Sequence, residues 1–204
     1  MKRAALLGAL VLLPLGWAVS SMGMTGHMTG HMIAVAVAAP LLAFALAGTP
    51  WDPAGRWPRA VTPMAMMLVE LVAVWSWHLP ALRRAANEVP LIAAAEHATF
   101  LAAGLLLWSA AIHTPHRAAG IGALLLTSMH MTLLGVLIGL APRPLYHIAH
   151  GMGGHHHAAP FGLDALADQQ LGGVVMLVIG GASYMLGGLA LLAGLLKTEP
   201  DTAT

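Results

Sequence analysis

"SMGMTGHMTGHMIAVAVAAPLLAFALAG", residues 21–48, holds two histidines and no other ionisable group, and from Ile33 onward nothing in it is polar. Its part 28–48 is long enough to cross ~30 Å of hydrocarbon as a helix. Just ahead of that apolar run the tetrapeptide Thr-Gly-His-Met occurs twice, at 25–28 and 29–32, and residues 21–32 gather four methionines. The stretch therefore reads as a membrane span whose first turns collect soft and borderline metal ligands.

The rest of the chain extends that reading. Of its 204 residues 58% are hydrophobic and only 8% charged, and a mean hydropathy of +0.78 lies outside the range of soluble domains. Windows of about 19 residues give six apolar segments: 4–20, 28–48, 62–79, 90–112, 118–141 and 170–196. The expected fold is all-α, a polytopic transmembrane helix bundle of six spans. It has five if the first is a cleaved signal, since Lys2-Arg3, a short apolar run and Ala18-Val19-Ser20 fit one. Pro14 within that run and its continuation through Trp17 favour retention. The longest gap, 142–169, is too short for a core of its own, so 1–204 reads as a single transmembrane domain with a His-rich outer loop at 142–169.

A formal net charge of +1 implies no acidic partner and no nucleic acid; the partner that composition demands is the lipid bilayer. With the N-terminus inside, Lys2, Arg3, Arg56, Arg59, Arg117 and Lys197 are cytoplasmic and Arg83, Arg84 and Arg143 are outside, which favours that orientation. Trp17, Trp75, Trp77 and Trp108 fall near segment ends, as interfacial anchors do. Cysteine is absent, so a metal site must use His, Met, carboxylate or backbone.

Alternating the segments across the membrane sorts the twelve histidines unevenly. His27, His31, His78 and His97 fall at or near the outer side, and the outer loop holds His147, His150, His155, His156 and His157. Only His113 and His116 fall inside, with His130 within the bilayer. Asp168 begins the last segment, again outside.

On a helix, Met24, His27, Met28, His31 and Met32 share an arc of roughly 140°. His27 and His31, at i and i+4, can approach closely enough to hold one ion, while Gly26 and Gly30 are expected to leave the first turn irregular. Thioether suits Cu(I) and imidazole suits copper in either oxidation state; the alternative is methionine as interhelical filler. Glu96 and His97, roughly 10 Å inside their span, are costly there and functional by default. They diverge by 100°, so one is a ligand and the other its carboxylate or proton partner, or the two only bond helices together. His130, about 16 Å from the outer end, extends a copper path inward or pairs with Glu70. The loop histidines read as an unselective collector of transition metal. In the last segment Gly173, Gly180, Gly187 and Gly194 recur every seven residues with Gly181 and Gly188, a stripe for close helix packing and a possible homodimer surface.

With these positions assembled, the chain resembles the CtaG-type cytochrome c oxidase assembly factors, multi-pass proteins of the bacterial inner membrane linked to copper delivery. The motifs run in order: "HMTGHM" followed by "AAPLL", then "WHLPAL", "EHATFLAAGLLLW", "MTLLGVLIGLAPRPLY" and "DQQLGGVVM". The resemblance implies functional roles for His27, His31, His78 and His97, with Asp168 at the start of the last span, and is poorest over 1–20 and 147–160. It implies a copper-binding protein of the cytoplasmic membrane whose metal site faces the periplasm, and cytochrome c oxidase subunits as partners. The expected metal set is His27, His31, His78, His97, Met24, Met28, Met32, Asp168, Glu96 and His130. No Gly-Lys-[Ser/Thr] phosphate loop occurs, and ligand exchange needs no catalytic base, so no enzyme is expected. Three rival readings stand beside it. One is a b-type cytochrome with His97 and His130 or His31 on haem. The second is a metal permease lined by Glu70, Glu96 and His130; the third is a metal-free scaffold.

Overall fold

The computed structural model describes residues 1–146 and 162–197, and among these it is helical throughout, with no strand. In chain order, α1 is Lys2–Val19 and α2 is Gly23–Leu46, followed by α3 (Pro63–Trp77) and α4 (Pro80–Glu88). Then come α5 (Pro90–His113), α6 (Arg117–Gly139) and α7 (Ala165–Lys197). Five of these, α1, α2, α5, α6 and α7, are long and apolar enough to cross a bilayer. The sixth expected span differs: α3 is 15 residues long, about 22 Å at 1.5 Å per residue. Beyond it the chain bends by 71° into α4. Pro80 opens α4 at its first position, where a missing N–H costs nothing.

The glycines of the Thr-Gly-His-Met repeat do not loosen α2, which is regular from its first turn. They let α1 approach. A Cβ on Gly26 would lie 2.2 Å from the Val19 carbonyl oxygen and one on Gly30 2.4 Å from that of Gly16, so only hydrogen fits. The reversal between α1 and α2 turns on Gly23, whose φ of 69° suits glycine. Because the repeat is four residues long, each residue type recurs on one helix face. Both glycines meet α1, both histidines face the bundle interior and both methionines enter the core.

Two helices carry π-helical turns, Ile33–Ala38 in α2 and Met176–Gly180 in α7. The α2 turn and the residues around it bond side chains from two other helices. The Val35 carbonyl accepts from the Trp108 indole at 3.1 Å, and that of Ala36 from the Ser183 hydroxyl at 2.7 Å. Trp108 is thus a core residue and not an interfacial anchor.

The glycine stripe of α7 packs within the chain. A Cβ on Gly173 would lie 2.6 Å from the Gly139 nitrogen, one on Gly181 2.7 Å from the Thr132 hydroxyl, and one on Gly188 3.0 Å from Leu125, all on α6. Gly180 faces Met32 and Gly187 faces Trp108. The surface expected for a homodimer is therefore largely occupied by the chain's own helices.

Candidate metal site

The starts of α2, α5 and α7 and the end of α3 meet at one end of the bundle. Asp168, in the first turn of α7, fastens it. One carboxylate oxygen accepts from the Met24 N–H at 2.6 Å and the other from the Thr25 N–H at 3.0 Å; the Thr25 hydroxyl returns a bond to the Asp168 carbonyl at 3.0 Å. A helix leaves its first N–H groups without intrahelical partners, and here a carboxylate from another helix takes two of them. Asp168, expected as a ligand, has its oxygens engaged in capping α2.

That cap aims His27 and His31 into the interior, where they meet His78, the residue that caps the end of α3. The ring centroids are 6.4 Å apart for His27 and His31, 5.8 Å for His27 and His78 and 5.3 Å for His31 and His78. The exposures are 1%, 0% and 5%, so three imidazoles are gathered out of solvent. Phe100 stacks on His31 at 3.9 Å and 16°, fixing that ring's plane. His78 is held twice: Nδ1 bonds the Val74 carbonyl at 2.6 Å, and its own carbonyl accepts from the Tyr146 hydroxyl at 2.9 Å. Because a carbonyl can only accept, Nδ1 carries the proton and Nε2 of the neutral ring keeps its lone pair. That lone pair faces the Met28 thioether at 3.4 Å, acceptor against acceptor.

No ring nitrogen of His27 or His31 has a hydrogen-bond partner among the described residues. Nor has Glu96 Oε1, which lies 3.8 Å from His27 Nε2. Buried polar atoms are nearly always paired, and each exception asks for an explanation. The other oxygen of Glu96 accepts from the Arg83 guanidinium at 2.6 Å. Among the described residues no three His, Cys, Asp or Glu side chains are closed around a point that could hold an ion. The available donors are instead imidazole nitrogens with one thioether and one carboxylate oxygen at the margin.

The other expected positions divide. His97 does not join the three imidazoles. It leaves α5 about 100° from Glu96, bonds the Ala93 carbonyl through Nδ1 at 2.9 Å and meets Trp17 edge to face at 4.6 Å. With Trp17, Leu13, Gly30 and Ile33 it lines a half-open cavity of about 220 Å³. His130 is buried deeper in the bundle, and among the described residues neither of its ring nitrogens has a partner. Glu70, fully buried, accepts from Tyr184 rather than from His130. Met24, Met28 and Met32 are all core residues, and the Met28 thioether lies against the His78 ring. The loop histidines 147, 150 and 155–157 lie outside the described residues.

The family described as Cytochrome c oxidase caa3 assembly factor (Caa3_CtaG) matches residues 4–198, nearly the whole chain. The chain belongs to that family. The match runs through α1 and through 147–160, where the motif resemblance is poorest. No curated protein and no solved structure matches the chain. Two residues of this assembly-factor site were not singled out from sequence as part of it. Phe100 is four residues after Glu96 and so on the same face; Arg83, read only as a topology charge, is four before Asn87 on an amphipathic helix.

Proposed function

We propose that this assembly factor carries copper as cargo at His27, His31 and His78, with Met28 as the soft donor, and passes it to an immature cytochrome c oxidase by ligand exchange. The observation that carries the reading is the set of four unpartnered imidazole nitrogens on His27 and His31, buried beside the lone pair of His78. A buried polar atom without a partner costs about 1–3 kcal/mol, a burden that a bound cation relieves at the one lone-pair nitrogen of each neutral ring.

The donor set fits copper better than zinc. Structural zinc takes four ligands in a closed tetrahedron, and no such cage exists among the described residues. Thioether and imidazole in an open arrangement suit Cu(I), and loose coordination favours a site that must give its ion away. Ligand exchange makes and breaks only coordinate bonds, so the reading assigns no catalytic residue. The positive-inside distribution supports a site facing the periplasm, with the exposed Met22 and the loop histidines as first contacts.

The test is copper content after purification without a metal-affinity column. Wild type is expected to retain Cu(I). The double variant His27→Ala, His31→Ala is expected to lose it and to leave the oxidase of the same cells short of copper. A wild type that binds no copper, or a double variant with full oxidase copper, rejects the proposal. A Soret band in the purified protein would instead favour haem.

A further inference from the structure

Resting on the copper reading, we infer that Arg83 is a placeholder cation: its guanidinium holds the carboxylate that incoming copper takes over, and its release frees α4 from the bundle. Glu96 is fully buried and uses only half of its carboxylate. Oε2 accepts from Arg83, while Oε1 faces His27 Nε2 across 3.8 Å. That gap is too long for a hydrogen bond. Two ligand atoms each about 2.0–2.2 Å from one ion can stand up to roughly 4 Å apart, so the separation is within reach of a shared ion. The carboxylate faces a cation on one side and the candidate copper ligands on the other.

Arg83 is itself only 8% exposed, and a second nitrogen of the guanidinium donates to Asn87 one turn along α4. In a medium of low dielectric, two cations sharing one carboxylate repel strongly. The ion that binds His27 and Glu96 therefore displaces the guanidinium, which has water within reach at the rim. α4 is built to follow it. It packs chiefly on α5, the helix that carries Glu96, and hardly on α3. Leu79 and Val89 bound it in extended conformation, each before a proline, so two breaks set this nine-residue helix off from α3 and α5 as a unit of its own. Its outer face is polar and exposed, with Arg84, Asn87 and Glu88. The exchange thus turns occupancy of a buried site into movement of a surface helix.

The chain has no cysteine, so spin labels on Arg84→Cys and Gln170→Cys, both exposed positions, report the separation of α4 from α7 in the full-length protein. Labelling blocks both thiols, and Cu(I) is diamagnetic. In an otherwise unaltered chain the distance is expected to lengthen when Cu(I) is added. With Arg83→Gln it is expected to be long already and unresponsive to copper. Affinity separates the exchange from an ordinary structural ion pair: Glu96→Gln is expected to weaken copper by about 10–100-fold, whereas Arg83→Gln leaves it unchanged or several-fold tighter. The inference is overturned if copper binds without lengthening the distance, or if the two variants weaken copper equally. A labelled chain that takes up no copper at all fails the copper reading itself.

Discussion

The two ends of the bundle treat buried polar groups in opposite ways. At the end away from His27, His31 and His78, Asp52 is 3% exposed and fully engaged. One carboxylate oxygen accepts from the Ser109 hydroxyl at 2.7 Å and the other from the Gly48 N–H at 3.2 Å. The Ser109 hydroxyl accepts in turn from the Ala54 N–H at 3.1 Å, and His113 bonds the Ser109 carbonyl at 3.0 Å. At the end of His27, His31 and His78, Asp168 is used the same way, yet among the described residues the ring nitrogens of His27 and His31 have no partner. Stability accounts for the first end entirely. The second does not close on itself in that way, and the proposed copper cargo would give its imidazoles a partner, whereas a site selected for stability alone would fill that space with apolar side chains.

The comparison breaks most visibly at the backbone. Gly30→Leu drives a side chain into the Gly16 carbonyl, where even a Cβ comes within 2.4 Å. It is expected to cost about 4 kcal/mol or more, read as loss of folded protein in detergent and loss of copper together. Asp168→Ala comes next. It removes two charge-assisted bonds from the start of α2 and leaves the Met24 and Thr25 N–H groups unpaired, at about 3 kcal/mol. Asp168→Asn, which keeps one acceptor, is expected to cost less. Equal losses for the two variants would mean that the carboxylate does more than cap.

The sign of the next pair of effects is the sharpest check. Replacing unpartnered imidazoles by apolar groups of similar size, His27→Leu with His31→Leu, is expected to raise thermal stability by about 1–2 kcal/mol while abolishing copper retention. Ser109→Ala, at the satisfied end, is expected to lower stability by a similar amount, since it leaves both Asp52 and the Ala54 N–H short of a partner. If the histidine replacement proves destabilising in the metal-free protein, those imidazoles contribute to packing that the unpaired nitrogens do not reveal.

How far the sequence discloses this arrangement depends on what each residue must share. The spans and the common end of His27, His31 and His78 follow from apolar length and from alternation across the membrane, both properties of one segment at a time. The one-face prediction for Met24, His27, Met28, His31 and Met32 follows from period alone; all five are buried, but so are Thr25, Gly26 and Gly30, because α1 covers the glycine side of the same helix. Period fails where two neighbours compete. Glu96 and His97 stand 100° apart, and which of them faces His27 depends on how α5 is rotated, a tertiary quantity. The glycine repeat misleads because propensity treats glycine as a cost within its own helix, whereas Gly26 and Gly30 answer to α1. Asp168 reads as a ligand because a carboxylate at a helix start gives no sign that it caps a different helix, 144 residues away. Arg83 escapes notice because a rim arginine has a sufficient explanation in topology, and its partner on α5 is thirteen residues on, beyond the break at Val89.

The smallest expected effect concerns acid, and it belongs to the satisfied end. Burial alone pushes the Asp52 carboxyl up, but the Ser109 hydroxyl, the Gly48 N–H, nearby His113 and the Gly55 N–H together outweigh it and hold the group below its ordinary 3.8. A carboxyl whose folded value is depressed stabilises the fold fully above its unfolded value and loses that contribution as pH falls through the folded one. The connection between α2 and α3 should therefore exchange its amide hydrogens at an unchanged degree of protection from pH 8 down to 5 and lose protection only below 3.8. Asp52→Asn removes the titrating group, so its protection is expected to be lower throughout and to vary little over the same range. Wild-type protection that stays flat below 3.8, or an Asp52→Asn variant protected as well as wild type, would mean that the carboxylate and its bonds to Ser109 and Gly48 are not what holds this end together.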